Sequence, residues 1–126
     1  MRPSVRKFRT LGLLAMMMCG LPPAVAQAQY PFTTLYGTTS YGGSFYAGTV
    51  FKLTPGDAGW TETVLHSFNG IDGGYPGAGL IQGALGALYG TTQYGGSFGY
   101  GTVFKLTPGG AGWTETVLHS FSDFFC

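Results

Sequence analysis

The chain has 126 residues, 23 of them glycine and only 9% charged, with a formal net charge of +1 at pH 7. Four of the six basic residues (Arg2, Arg6, Lys7 and Arg9) stand at the start, so the rest sets Lys52 and Lys105 against Asp57, Glu62, Asp72, Glu115 and Asp123, a net −3. Two lysines give no electrostatic footprint for nucleic acid and no basic cluster to hold anionic lipid.

Residues 1–28 read as a helical signal peptide. The basic start leads into an apolar run at 11–21, then Pro22-Pro23, then Ala24-Val25-Ala26 or Ala26-Gln27-Ala28 as small-x-small cleavage patterns. The eleven apolar residues fall well short of the roughly 20 that a spanning helix needs, so no membrane span is expected after cleavage. The expectation is export from a bacterium, to the periplasm, the cell surface or the medium. Cys19 leaves with the leader, and Met16-Met17-Met18 before it is a poor lipidation context. Cys126 then has no partner for an internal disulfide.

Residues 29–34 read as a linker, after which the chain repeats itself. Residues 35–68 recur at 88–121, an offset of 53, and differ only at Ser40/Gln93, Tyr46/Gly99, Ala47/Tyr100 and Asp57/Gly110. A period of this length marks a modular array whose units bury their faces against one another. The division is a first β repeat at 35–87, a second and incomplete one at 88–121, and an aberrant or truncated tail at 122–126. Ordered alternation and 16% aromatic residues argue against a disordered Gly-rich chain.

Each unit contains short β-rich runs separated by turn chemistry. In the second copy these are 88–92, 101–107 and 113–121, with the loop 93–97 and the turn 108–112 between them. A weaker fourth run at 78–82 joins residue 88 through 83–87. The fold class expected is all-β, with two tandem four-stranded antiparallel repeats of a β-propeller-like array. A β-solenoid or sandwich is the alternative. Taking 55–59 as a five-residue connection pairs Thr54 with Trp60 and sets Lys52 opposite Glu62. The same register sets Lys105 opposite Glu115, giving each copy a structural ion pair.

His66 and His119 are the obvious catalytic suspects. On a strand they lie about 13 Å beyond Glu62 and Glu115, from roughly 3.3 Å per residue, and no second ligand follows at metal-site spacing. They are expected to be structural, together with Lys52, Glu62, Lys105 and Glu115. Asn69 and Asp72 are weak metal candidates in a loop with Ca²⁺-like composition, but two side-chain oxygens are few for calcium. A turn explains them as well. Tyr41, Phe45, Tyr46, Tyr94, Phe98 and Tyr100 lie on the Gly-rich loops and are the candidate ligand-contact aromatics, suited to sugar stacking. No catalytic residue, cofactor or bound metal is expected.

The runs Leu35-Tyr36-Gly37-Thr38-Thr39, Gly48-Thr49-Val50-Phe51-Lys52-Leu53-Thr54-Pro55 and Val64-Leu65-His66-Ser67-Phe68, with their second copies, resemble the bacterial GloVer tandem repeat of choice-of-anchor proteins. The resemblance implies an exported, surface-associated protein with propeller-like repeats, and it supplies no catalytic residues. Such proteins have more repeats than this chain. Two units cannot close a ring of four to eight blades, so the expected partners are further repeats of the same kind, in cis or by self-association. The functional expectation is a non-enzymatic scaffold or glycan- or protein-binding module, a fragment of a longer array. The alternative is a fragment of an extracytoplasmic propeller enzyme of lyase or hydrolase type.

Overall fold

The computed structural model describes residues 33–122. Residues 1–32, which hold the expected leader with Cys19 and four of the six residues of the expected 29–34 linker, and residues 123–126 with Cys126 lie outside the described residues.

The described chain is all-β. The strands are β1 (Leu35–Thr39), β2 (Thr49–Gly56), β3 (Gly59–Ser67), β4 (Ile81–Gln82), β5 (Leu88–Thr92), β6 (Thr102–Gly109) and β7 (Gly112–Ser120), with a single 3-10 turn at Ala84–Gly86. They form two antiparallel sheets, β1-β2-β3 and β4-β5-β6-β7; the first has three strands among the described residues rather than the four expected, because the short run before residue 88 pairs with β5 of the second sheet. Thr is the commonest strand residue, and it is joined by Val, Tyr, Phe and Trp, whose β-branched or aromatic side chains fit a pleated surface. The fourth strand is only two residues long, and it pairs with β5, Ile81 opposite Tyr89.

The hairpin register differs from the sequence expectation. Strands β2 and β3 continue through Pro55 opposite Trp60 to Gly56 opposite Gly59, leaving Asp57-Ala58 as a two-residue turn. Lys52 therefore faces Thr63 and Glu62 faces Leu53. The second copy repeats this, with Lys105 opposite Thr116 and Glu115 opposite Leu106. Paired residues share a face in an antiparallel sheet, so a one-residue slip puts Lys and Glu on opposite faces. The expected cross-strand ion pairs do not form. Lys105 instead sets its Nζ 5.8 Å from the centre of the Tyr89 ring.

A bulge follows in both hairpins. Phe51 pairs with Val64 but Val50 pairs with His66, leaving Leu65 as the extra residue. The bulge moves His66 off the Glu62 face and onto the Val50 face. Glu62 and His66 therefore lie on opposite faces of the sheet.

These faces decide how the repeats stack. The core is Ala47, Val50, Leu65 and Phe68 from the first copy with Leu88, Phe104 and Leu106 from the second, flanked by Tyr36, Leu80 and Trp113. The Phe68 and Phe104 rings meet edge to face at 5.1 Å between centroids, and Tyr36 meets Trp113 at 6.4 Å. The first sheet thus contributes its Tyr36/Val50/His66 face, while the second contributes its Leu88/Phe104/Glu115 face. Those are opposite faces of equivalent sheets. The junction is head-to-tail rather than self-complementary.

Burial follows that arrangement. Leu88 is 1% exposed whereas its counterpart Leu35 is 48% exposed, and Leu65 is 9% exposed whereas Leu118 is 51% exposed. Within each sheet a threonine pair is repeated. The Thr39 and Thr49 hydroxyls lie 2.8 Å apart, those of Thr92 and Thr102 lie 2.9 Å apart, and the Thr49 and Thr102 amides donate to the partner hydroxyl. Buried hydroxyls are satisfied in this way, which accounts for the recurrence of the Gly-Thr-Val motif.

Candidate functional site

The main polar constellation sits at the junction of the two sheets and draws on three segments. From the end of β3, Nε2 of His66 donates to Oδ2 of Asp72 at 2.9 Å. The other Asp72 oxygen, Oδ1, accepts the Asn69 backbone N–H at 2.9 Å. Oδ1 of Asn69 accepts the N–H groups of Ile71 and Asp72, at 2.8 and 3.0 Å. Asn69 therefore shapes the loop and aims Asp72. Its oxygen is taken up by amides, as an Asx turn requires.

The third member comes from the other repeat. Glu115 lies on the core-facing side of β7 opposite Leu106, and its Oε1 is buried without a hydrogen-bond partner. One ligand atom each from His66, Asp72 and Glu115 falls within 4.8 Å of the others, and all three residues are partly buried. Burial, followed by the nearby Asp72 charge, pushes the Glu115 carboxyl up to about 7. Near neutral pH it holds a proton far more readily than an exposed glutamate.

The sequence treats these residues separately, as a strand histidine, a loop aspartate and a strand glutamate. The loop at 69–73 turns Asp72 back onto the ring six positions earlier, and sheet stacking brings in Glu115. The missing second ligand for His66 is thus present in space. Asn-x-x-Asp directly after the strand was the available signal for the first pairing. Nothing local signals the second. His119 has no such surroundings. It is exposed, its ring meets Phe121 edge-on at 4.9 Å, and the sequence equivalent of Asp72 is Phe125.

A second feature involves the loop aromatics. The rings of Tyr41 and Tyr94, from equivalent-type loops of the two copies, both meet Tyr75 edge-on, at 5.3 and 5.6 Å. With Ser40 and Gln93 they line an open cleft of about 570 Å³. Nothing in the repeat pattern marks Tyr75, which lies in the segment between the copies. Its φ of 54° is unusual for a non-glycine residue, and its N–H is held by the Ala47 carbonyl at 2.7 Å. Phe45, Tyr46, Phe98 and Tyr100 are exposed but do not line this cleft. Ser40 and Gln93, which do, are one of the four positions at which the copies differ.

Two hairpin sheets with matching register, stacked through opposite faces, define an all-β repeat module. The chain belongs to the Gloeobacter/Verrucomicrobia repeat family, whose model matches residues 20–124. No curated protein and no solved structure matches it.

Proposed function

We propose that this chain is an exported, non-enzymatic scaffold module, a piece of a propeller-like array that extends by adding further repeats of the same kind. The observation that carries this reading is the head-to-tail junction. A surface that joins unlike faces leaves one copy of each face free at the ends and so either closes into a ring or continues. The free face of the first sheet presents Leu35, Trp60 and Val64, 48%, 53% and 48% exposed, while the second sheet presents Leu118 and Phe121, 51% and 41% exposed. The internal junction buries the counterparts Leu88, Leu65 and Phe68 against the complementary face. Another repeat is the occupant that such faces would suit. The basic start and apolar run of the leader support export.

Full chain freed of its leader is expected to associate with rising concentration in sedimentation velocity. Val64→Arg, which places a charge on the free face, should suppress that association. A chain that stays monomeric at every concentration reached, or association indifferent to Val64→Arg, would contradict the reading.

The tyrosine cleft favours a binding role for the scaffold. Aromatic faces beside a hydroxyl and an amide suit a surface glycan, because rings supply large rigid area while Ser40 and Gln93 offer hydrogen bonds. Backbone strain at Tyr75 fits a position held for a ligand. On a glycan array the chain should bind a defined sugar set, and Tyr75→Ala should weaken binding about tenfold or more, the equivalent of roughly 1.4 kcal/mol. Unchanged glycan binding by Tyr75→Ala would remove the cleft from the account.

A further inference from the structure

We infer that His66, Asp72 and Glu115 form a divalent-cation site that clamps the two repeats together, of the class that takes Zn²⁺ in preference to Ca²⁺ or Mg²⁺. Imidazole with two carboxylates is a donor set suited to zinc and similar transition metals, whereas calcium and magnesium prefer all-oxygen shells.

The geometry is close to what such an ion needs. Tetrahedral coordination at 2.0–2.1 Å places ligand atoms about 3.3 Å apart. The three donor atoms already lie within 4.8 Å of one another. An entering ion would replace the 2.9 Å contact between His66 Nε2 and Asp72 Oδ2 and draw Glu115 inward. A fourth position would remain for water, as in open zinc sites.

One observation beyond the cluster itself points to a ligand. The buried Oε1 of Glu115 has no hydrogen-bond partner among the described residues, and an orphaned buried oxygen is costly unless something claims its lone pairs. The Asp72 loop is also held rigid from both repeats. Gly70 N–H donates to the Gly73 carbonyl and Gly96 N–H, from the second copy, donates to the Ile71 carbonyl, both at 2.9 Å. Supporting hydrogen bonds of this kind fix ligand orientation at metal sites. His66 and Asp72 remain 19% and 20% exposed at their side chains, which leaves an entry path.

The site joins the repeats because His66 and Asp72 come from the first copy's segment and Glu115 from the second. A cation there would tie β3 to β7 in addition to the apolar core. Among the described residues the arrangement occurs once, since His119 lacks the equivalent aspartate.

The test is isothermal titration of the full chain, leader removed and chelator-treated, with ZnCl2, in a Cys126→Ser background so that the terminal thiol contributes nothing. One Zn²⁺ per chain is expected, with a rise in Tm that Mg²⁺ and Ca²⁺ do not match. Glu115→Gln keeps the shape and removes only a buried acid, so it should fold, and it should weaken Zn²⁺ binding about 100-fold. Asp72→Asn should do likewise, while His119→Ala should bind Zn²⁺ as the parent does. Absence of binding in the parent overturns the inference. So does Zn²⁺ binding that survives both Glu115→Gln and Asp72→Asn, or that is lost in His119→Ala.

Discussion

Phe104→Ala is expected to destabilise the protein by about 3–5 kcal/mol, the usual cost of removing a buried ring and leaving a cavity. Phe104 is fully buried, and its ring meets Phe68 of the other repeat. The same motif supplies a control. Phe51 occupies the equivalent place in the first copy, but on the free face, where it is only half-buried. Phe51→Ala should therefore cost less than half as much. Both sheets share one core, so Phe104→Ala should lower a single cooperative transition rather than split it. Chemical denaturation followed by circular dichroism measures both variants. Equal losses for Phe51→Ala and Phe104→Ala would mean that the Phe104 face is not the one buried at the junction.

Gly95→Ala is expected to cost roughly 3 kcal/mol or more, and again the first copy provides the comparison. Gly95 has φ +90°, and a Cβ there would stand 2.6 Å from the Gly70 carbonyl oxygen and 2.7 Å from Gly73 Cα. Both obstacles are backbone, so neither can swing aside. Its equivalent, Gly42, has φ +92° and nothing within 4 Å. Gly42→Ala should cost only the left-handed conformation, roughly 1–2 kcal/mol. The difference between the two substitutions isolates the packing of the second copy's loop on the segment that carries Asp72. Thermal melts of both variants give it directly. Similar Tm losses would show that the loop at 93–97 does not press on residues 70–73.

Much of the fold is legible in the residues, and the failures have physical causes. The repeated Thr-Val-Phe-Lys-Leu and Trp-Thr-Glu-Thr-Val-Leu runs declare strands, and the short run before Leu88 does join the second sheet as its fourth strand. Register is hidden because Pro55-Gly56 looks like turn chemistry. The ladder continues past it to a two-residue turn, since the proline lies where the hairpin nears its end. The bulge at Leu65 leaves no local mark, as an unpaired leucine resembles any strand leucine. Those two slips together hid the faces, and with them the meeting of His66 and Glu115.

The candidate sites were legible in part. Asp72 and Tyr41 and Tyr94 are recognisable from their loops, but their partners Glu115 and Tyr75 arrive only through stacking. In a protein of nearly identical units, the chemistry that differs from place to place gathers at the junction, where each copy meets what it does not itself contain.

Unlike faces of the two sheets meet, and nuclear Overhauser contacts between side chains report that meeting residue by residue. Ring-proton cross-peaks are predicted between Phe68 and Phe104 and between Tyr36 and Trp113, whose centroids lie 5.1 and 6.4 Å apart. Cross-peaks between Phe51 and Phe104 instead would mean that like faces are joined.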